Sequence, residues 1–285
     1  MKAVRAPEAW KRSTGKKVKV GVLDTGIDKN HPDLPVAGGV SVVPGHKSWD
    51  DGHGHGTQCA GVIGARNNDK GVVGVAPDCE IYAIKFHLGN RASLDQILAG
   101  MTWAARNRMD ILSFSQWDTN GATTAKEAPW VEVQRAARLL TNNNCLVVGI
   151  SGNSGFGYPT HFVTNPGRCP DIMAIAATDN EKKWWSGSSY GPVSLPSRQG
   201  VELAAPGIEV YSTYIGGGYA CDSGTSMACP HVAGAAALIR QLKPMWNPDQ
   251  IRTHLQSHAV DIDASGFDIK TGAGFLDCFA AVKNV

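Results

Sequence analysis

The chain has 285 residues, of which 27 are basic and 25 acidic, so its formal net charge is +2, and 42% of its residues are apolar. A disordered chain combines low hydrophobicity with high net charge, so this composition excludes one. The charge gives no electrostatic reason to expect nucleic acid or an anionic membrane as a partner. No apolar run approaches the ~20 residues that a membrane helix needs.

Apolar runs alternate with helical patterns along the chain. The predicted strands cover residues 17–24, 80–86, 110–115, 146–150 and 172–177. The predicted helices cover residues 93–108, 129–143 and 226–242, and a further helix begins at 247–248. Continuous apolar runs are typical of strands buried on both faces. The order predicts an α/β fold, with a mainly parallel twisted β-sheet and helices on both faces. Without a repeat or a linker-like stretch, residues 1–285 are expected to form a single domain.

Polar side chains directly follow three of the predicted strands. Asp24 ends the first strand, Ser115 ends the strand at 110–115, and Asn153 comes shortly after the strand at 146–150. Ligands of parallel sheets bind beyond the carboxyl ends of the strands. These residues are therefore candidates for a functional site, although an aspartate after a strand is usually a turn residue.

Two glycine-rich motifs supply further reactive side chains. Residues 50–61 place His53 and His55 in a loop that runs into a helix of small residues. Residues 224–234 place Ser226 where a loop becomes a helix. A serine there lies beside unpaired N–H groups and the positive end of the helix dipole, which favours a developing oxyanion. Taken alone, a serine at a helix start is usually a cap.

Taken together, the motifs closely resemble those of the subtilisin-like serine proteases, the subtilases. Three stretches carry the resemblance: Leu23-Asp-Thr-Gly-Ile-Asp28, His55-Gly-Thr57 and Gly224-Thr-Ser-Met-Ala228. The resemblance extends from about Arg5 to Asp249 and implies the three-layer fold of that family. Chymotrypsin-like enzymes and α/β-hydrolases carry their triads in other chain orders.

The resemblance implies a role for each polar residue. Ser226 is the nucleophile, His55 the general base and then acid, and Asp24 the residue that orients the imidazole. Asn153 and the Ser226 N–H group stabilise the oxyanion. His53 is the alternative base, and His55 is favoured because Gly-Thr and a helix follow it. No cofactor is required for this chemistry.

Substrates of the family bind as an extended strand between two edge segments. The matching segments here are 115–117 and the stretch around 89–94. Leu94 and Ile97 are expected to line the S4 pocket, and Thr164 to lie at the base of S1. The other residues expected to contact the peptide are Ser115, Gln116, Trp117 and Gly152. Trp117 stands where the family has a glycine. Its indole either covers the groove and narrows specificity, which is favoured, or turns outward.

The stretch 66–72 resembles the calcium loop of the family. Asp33 and Asn68 match two of its oxygen ligands, which suit Ca²⁺. The ligand that relatives supply from an extended N-terminus has no counterpart in this sequence. A structural calcium ion is therefore one interpretation, and an ordinary polar loop is the other.

The chain has seven cysteines, an odd number, so at least one of them cannot form a disulfide within the chain. Their spacing is not typical of a metal site. Buried reduced thiols in an intracellular protein are favoured over one or two disulfides in a secreted one. Met1 is followed by polar residues without a signal peptide, so a cytoplasmic location is slightly favoured, with a secreted mature domain as the close alternative. Cys59, one turn after His55, is expected to be buried rather than sensitive to mercurials.

The sequence thus predicts a monomeric serine endopeptidase that acts on peptides or proteins. Narrowed specificity favours a dedicated processing protease, and a broad degradative enzyme is the alternative. A relative that only binds peptides is the hypothesis from a different class.

Overall fold

One parallel sheet lies at the centre of the computed structural model, which describes residues 1–89, 92–116, 128–155, 162–191 and 200–285. Its strands are β1 (Lys19–Asp24), β2 (Val36–Ser41), β3 (Glu80–Lys85), β4 (Ile111–Phe114), β5 (Leu146–Ile150), β6 (Ile172–Thr178) and β7 (Leu203–Pro206). They lie in the order β2-β3-β1-β4-β5-β6-β7, and every neighbouring pair is parallel. The carboxyl ends of β1, β4 and β5 therefore meet at one edge.

Helices cover both faces of this sheet. They are α1 (Ala6–Ala9), α2 (His55–Gly64), α3 (Leu94–Arg106), α4 (Ala128–Asn142), α5 (Thr225–Leu242), α6 (Pro248–Ser257) and α7 (Cys278–Lys283). Helices α2 and α5 pack together on one face, and α3 and α4 pack together on the other. An antiparallel hairpin of β8 (Val210–Tyr214) and β9 (Gly218–Asp222) packs against α2. The predicted α/β three-layer class is confirmed.

Local sequence signals explain where the helices begin. Ser93 caps α3, since its hydroxyl accepts the Gln96 N–H bond while the Gln96 side chain accepts from the Ser93 N–H group. Asn247 forms the same reciprocal pair with Gln250 at the start of α6. Such capping boxes satisfy backbone donors that a helix leaves unpaired. Small residues let α5 pack closely, because a Cβ on Gly234 would lie 2.6 Å from Val75 Cβ.

The sequence analysis missed several short elements. Strand β2 is a partly exposed edge strand with two glycines, and β7 has four residues and ends in proline. Glycine and proline are depleted in strands, so neither segment has a strong strand signal. The hairpin of β8 and β9 and the short helices α1 and α7 were missed as well. These elements are held by packing against the rest of the fold rather than by local preference.

All seven cysteines are free, and only Cys221 is exposed. Burial raises the pKa of the Cys79, Cys169 and Cys229 thiols to about 12, so they stay protonated at neutral pH. Among the helices of the described ranges, none has the length and apolar composition needed to cross a bilayer.

Candidate active site

Asp24 and His55 form a close pair at the carboxyl edge of the sheet. Asp24 is the last residue of β1 and is fully buried, and His55 is the first residue of α2. The two carboxylate oxygens of Asp24 lie 2.8 and 2.9 Å from His55 Nδ1. The Thr25 N–H group also donates to Asp24 Oδ1, at 2.7 Å. The carboxylate therefore holds Nδ1 protonated and leaves Nε2 as the basic nitrogen.

Glycines bring the segment around His55 against its neighbours. A Cβ on Gly56 would lie 2.1 Å from the Gly26 carbonyl oxygen and 3.1 Å from Asp24 Cβ. A Cβ on Gly54 would lie 2.2 Å from the Tyr214 ring. Only residues without a side chain permit these approaches. The two glycines therefore let the end of β1 and the Tyr214 ring pack against the segment that carries His55.

Ser226 and Asn153 lie together across Gly224. Ser226 is the second residue of α5, where backbone N–H groups have no helical partner. A Cβ on Gly224 would lie 3.2 Å from both the Ser226 Oγ and the Asn153 Nδ2. Asn153 Oδ1 accepts hydrogen bonds from the Thr225 N–H group at 2.9 Å and from the Thr225 hydroxyl at 2.8 Å. Both donors hold the amide oxygen, so the NH₂ group is the part of the Asn153 side chain that is left to donate.

Cys59 links α2 to the start of α5. Its Sγ lies 4.0 Å from His55 Nδ1 and donates to the Ser226 carbonyl oxygen at 3.5 Å. That oxygen lacks its usual helical donor, because residue 230, four positions later, is a proline. Burial raises the pKa of the Cys59 thiol despite the neighbouring His55, so the group remains a thiol. Cys59 is buried, as expected, and it supplies the hydrogen bond that the Ser226 carbonyl oxygen would otherwise lack.

Asp24 and His55 each shift the pKa of the other. Burial alone would raise the pKa of Asp24, but the charge and hydrogen bond of His55, with a smaller contribution from His87, hold it below its usual value. Burial alone would lower the pKa of His55, but the Asp24 charge raises it well above 6.5. The arrangement therefore stabilises a positive charge on His55, as a general base that receives a proton requires.

The sequence model of the subtilase family matches residues 15–274. The chain belongs to the subtilase family. It is 42% identical over 282 residues to Subtilisin Savinase of Lederbergia lenta, an alignment that covers 98% of this chain and 96% of that protein. It is also 42% identical over 282 residues to an alkaline protease of Alkalihalobacillus alcalophilus, covering 98% and 68% of the two chains. Subtilisin DY of Bacillus licheniformis is 38% identical over 270 residues, covering 94% and 92%. As a subtilase, this protein is a serine-type endopeptidase, and its substrates are peptides.

Of the residues expected to contact the peptide, the structure describes all but Trp117. Ser115 is buried just after β4, and Gln116 beside it is half-buried. Gly152 lies after β5, and a Cβ on it would lie 2.2 Å from Thr164 Oγ1. The Leu94 and Ile97 pair occupies the first two turns of α3; Leu94 is half-buried, whereas Ile97 is only 8% exposed and packs in the core. Trp117 lies outside the described residues, as do Asn90 and Arg91.

Asp33 and Asn68 lie in the region of the predicted calcium loop. Asp33 is fully buried, and its Oδ2 accepts from the Val72 N–H group at 3.0 Å and from the Tyr219 hydroxyl at 3.3 Å. Its Oδ1 is buried without a hydrogen-bond partner among the residues that the structure describes. Asn68 is half-buried, and its Oδ1 accepts the Lys70 N–H bond at 3.1 Å. A buried, unpaired carboxylate oxygen is costly and is suited to a hard cation, so Asp33 fits calcium.

Sequence reasoning missed two contributors to the site. Thr225 holds the Asn153 amide, and its position beside Ser226 in the serine motif was the available signal. Thr25 Oγ1 accepts the Gly56 N–H bond at 2.9 Å and so ties α2 to the end of β1. His231 packs in the body of α5, where its Nδ1 lies 2.8 Å from the Met227 carbonyl oxygen. Burial lowers the pKa of His231 to about 3, so it stays neutral.

Proposed function

We propose that Ser226, His55 and Asp24 hydrolyse the peptide bond as one catalytic unit. Ser226 Oγ attacks the carbonyl carbon, and His55 Nε2 takes the hydroxyl proton and later gives it to the leaving amine. Water then attacks the acyl-enzyme with the same base, which releases the acid and restores the serine. The observation that supports this assignment is the buried carboxylate of Asp24, whose two oxygens lie 2.8 and 2.9 Å from His55 Nδ1.

The oxyanion of the tetrahedral intermediate is assigned to two donors. These are the Asn153 side-chain NH₂ group and the Ser226 backbone N–H group, which lies at the positive end of α5. Thr225 supports the assignment because it occupies Asn153 Oδ1 with two hydrogen bonds. The amide therefore needs no reorganisation when negative charge develops on the substrate oxygen.

Labelling with a fluorophosphonate probe tests the assignment and separates an enzyme from a peptide-binding relative. The probe requires a serine that is activated by its base, so we expect one label per chain, mapped by mass spectrometry to Ser226. The matched control is Ser223→Ala, which removes an exposed hydroxyl three residues away and should still be labelled. An unlabelled wild-type protein, or a label on another serine, would contradict the proposal.

Replacing the oxyanion donor tests the second part of the mechanism. We expect Asn153→Leu to lower kcat by about 10²–10³, the size of the loss when a subtilisin loses its oxyanion-hole asparagine. KM should hardly change, because the amide acts mainly on the transition state. Steady-state kinetics on one fluorogenic peptide measure both constants. A large rise in KM with unchanged kcat would show that Asn153 binds the ground state instead.

We also propose that the substrate lies as an extended strand along the segments 89–94 and 115–117 and that specificity is narrow. Thr164, which is assigned to the base of S1, lies beside Gly152, since a Cβ on Gly152 would be 2.2 Å from Thr164 Oγ1. A processing role for this protease requires narrow specificity. Cleavage of a peptide library at a few related sequences would favour that role, whereas a broad profile would favour a degradative enzyme.

We further propose that Asp33 and Asn68 hold a structural calcium ion. The orphaned Asp33 Oδ1 supports this site, because a cation there would compensate a buried negative charge. The ion would tie the loop 66–72 to the segment that carries Asp33. It would add stability and take no part in the hydrolysis.

Chelation tests the calcium proposal. Because a ligand bound only by the native state stabilises it by about 2.7 kcal/mol at 100 times its Kd, the melting temperature should fall when EDTA replaces CaCl₂. We expect a small shift, since the sequence lacks one of the family's usual ligands. Asp33→Asn should abolish the difference between the two conditions, and Asp69→Asn, on the exposed part of the loop, should keep it. Equal melting temperatures of the wild type in CaCl₂ and EDTA would contradict a calcium site.

A further inference from the structure

Two histidines lie one turn apart at the carboxyl end of α6, and the mechanism above uses neither of them. His254 is in the last turn of the helix, and His258 is the residue that caps it. Side chains four residues apart in a helix lie on the same face. The two ring centroids are 4.2 Å apart, at an interplanar angle of 42°, and both side chains are half-buried. The two imidazoles are therefore close enough to act on one ligand.

Hydrogen bonds to backbone carbonyls fix the hydrogen position in each ring. His254 Nε2 lies 2.8 Å from the Ala281 carbonyl oxygen, and His258 Nδ1 lies 2.9 Å from the His254 carbonyl oxygen. Because a carbonyl oxygen only accepts, both of these nitrogens must donate. The Ser257 hydroxyl donates to the same His254 carbonyl at 3.0 Å and lies 3.1 Å from His258 Nδ1. In the neutral rings the lone pairs are therefore on His254 Nδ1 and His258 Nε2.

This hydrogen bonding is the pattern of histidines that bind metal ions. A ligating histidine donates its other ring N–H to a carboxylate, a backbone carbonyl or water, which fixes the tautomer and orients the ring. Here the acceptors are one carbonyl of α6 and one of α7. In the part of the chain that the structure describes, no group hydrogen-bonds to His254 Nδ1 or His258 Nε2. Both lone pairs are thus oriented and available.

The spacing of the rings indicates the kind of ion. A metal ion about 2.0–2.1 Å from an imidazole nitrogen, in the plane of the ring, lies about 3.2 Å from the ring centroid. Two centroids 4.2 Å apart then subtend about 80° at one shared ion. This angle is closer to the ~90° of square-planar or octahedral coordination than to the ~109° of a tetrahedron. Imidazole ligands in those geometries suit Ni²⁺ and Cu²⁺, whereas Zn²⁺ prefers a tetrahedral site.

The pair is accessible and lies far from the catalytic serine. His254 lines a surface depression together with Trp246, whose ring centroid is 5.1 Å from that of His254. The Lys243 ammonium lies 5.6 Å from the Trp246 centroid, and its charge opposes a cation, so we expect modest affinity. Ser226 is the second residue of the 18-residue helix α5, and Lys243 follows the other end. Such a helix is about 27 Å long, so an ion at His254 does not touch the catalytic unit.

We propose that His254 and His258 form a binding site for a divalent transition-metal ion, nickel or copper. His254 Nδ1 and His258 Nε2 are the two protein ligands, and water takes the remaining positions. The ion restrains the carboxyl end of α6, which His254 already ties to α7 through the Ala281 carbonyl. The site therefore stabilises the packing of the last two helices and takes no part in hydrolysis.

Titration of the untagged wild-type protein with NiCl₂ tests this site. Calorimetry and thermal melts are done near pH 7.5, where an ordinary imidazole is neutral, with CaCl₂ present throughout. We expect one Ni²⁺ per chain and a rise in melting temperature of about 3–6 °C when NiCl₂ is tenfold above its Kd. ZnCl₂ should bind more weakly, and tighter binding of Zn²⁺ would contradict the assigned geometry. Hydrolysis of a fluorogenic peptide should be unchanged by NiCl₂.

Two variants remove one ligating nitrogen each and keep the hydrogen bond of the other. The amide of His254→Gln can still donate to the Ala281 carbonyl, and the amide of His258→Asn can still donate to the His254 carbonyl. Their melting temperatures without metal should therefore stay near the wild-type value. Each should lose the rise that NiCl₂ causes. His46→Asn, which removes an exposed histidine in the loop after β2, should keep it.

Two results would overturn the proposal. One is a wild-type protein that binds no Ni²⁺, and the other is binding that survives in both His254→Gln and His258→Asn. Surviving binding together with inhibited hydrolysis would place the ion on Asp24, His55 and Cys59, whose ligand atoms lie within 4.8 Å of one another. Loss of peptidase activity in metal-free wild type would contradict only the catalytic assignment, since nickel binding needs no turnover.

Discussion

Ser226→Ala is expected to lower kcat by about 10⁶, the size of the loss when a subtilisin loses its catalytic serine. In the proposed mechanism, the variant removes the atom that forms the acyl-enzyme, and the oxyanion donors alone leave a small residual rate. The fold should persist, because the side chain of Ser226 is only half-buried and the α5 backbone keeps its contacts with β4, β5 and β6. Steady-state kinetics and a thermal melt of the purified variant measure the two effects.

Ser223→Ala is the matched control for this loss. Ser223 Oγ accepts the Glu209 N–H bond at the end of the hairpin, so its removal affects a surface turn rather than the site. Its activity should stay within a few-fold of the wild type. Near-normal turnover by Ser226→Ala would contradict the assignment, and loss of activity in both variants would point to a folding defect of the loop.

Asp24→Asn is expected to lower kcat by about 10⁴, comparable to the losses known when serine proteases lose this carboxylate. The amide keeps the shape of the side chain but removes the charge that stabilises a protonated His55. In the wild type, kcat/KM should rise with pH as His55 loses its proton, with a midpoint above 6.5, because Asp24 raises the pKa of His55. In Asp24→Asn the residual activity should rise at a lower pH. Equal midpoints in the two pH profiles would show that the carboxylate does not act on His55.

The same pair makes stability depend on pH in a defined direction. The pKa of His55 is raised, so its contribution to stability is fully present below pH 6.5 and is lost as the pH rises through the folded value. The pKa of Asp24 is lowered, so its contribution is present above its usual value of 3.8 and is lost in stronger acid. The stabilisation is therefore greatest in mildly acidic solution and has faded where His55 is the neutral base.

Much of the site could be predicted because its reactive residues stand next to the ends of predicted strands and the start of a predicted helix. Strands in alternation with helices predict a parallel sheet, and the carboxyl ends of its strands must share an edge. Asp24 ends one apolar run and Asn153 comes shortly after another, so their location at this edge of the sheet could be predicted without knowledge of side-chain packing. The start of α5 was also visible, because a loop of glycine and threonine precedes Ser226.

Other features of the site depend on contacts between residues that are far apart in sequence, so they could not be predicted. The thiol of Cys59 and the carbonyl of Ser226 are far apart in sequence, and their bond exists because Pro230 supplies no donor. The unpaired Oδ1 of Asp33 likewise depends on contacts between distant segments, since Tyr219 and Val72 both donate to the other oxygen. The effect of Trp117 on specificity stays a prediction, since that residue lies outside the described ranges.

The most direct test of the catalytic unit compares Ser226→Ala, His55→Ala and the double variant by kcat on one peptide. The losses in kcat caused by mutating residues that act in one step are not additive. In a subtilisin, removal of the serine alone lowers kcat by about as much as removal of the whole triad, about 2 × 10⁶-fold. We therefore predict that the double variant retains a residual rate within a few-fold of Ser226→Ala. A double variant whose loss is the product of the two single losses would show that Ser226 and His55 act independently, and would contradict the account.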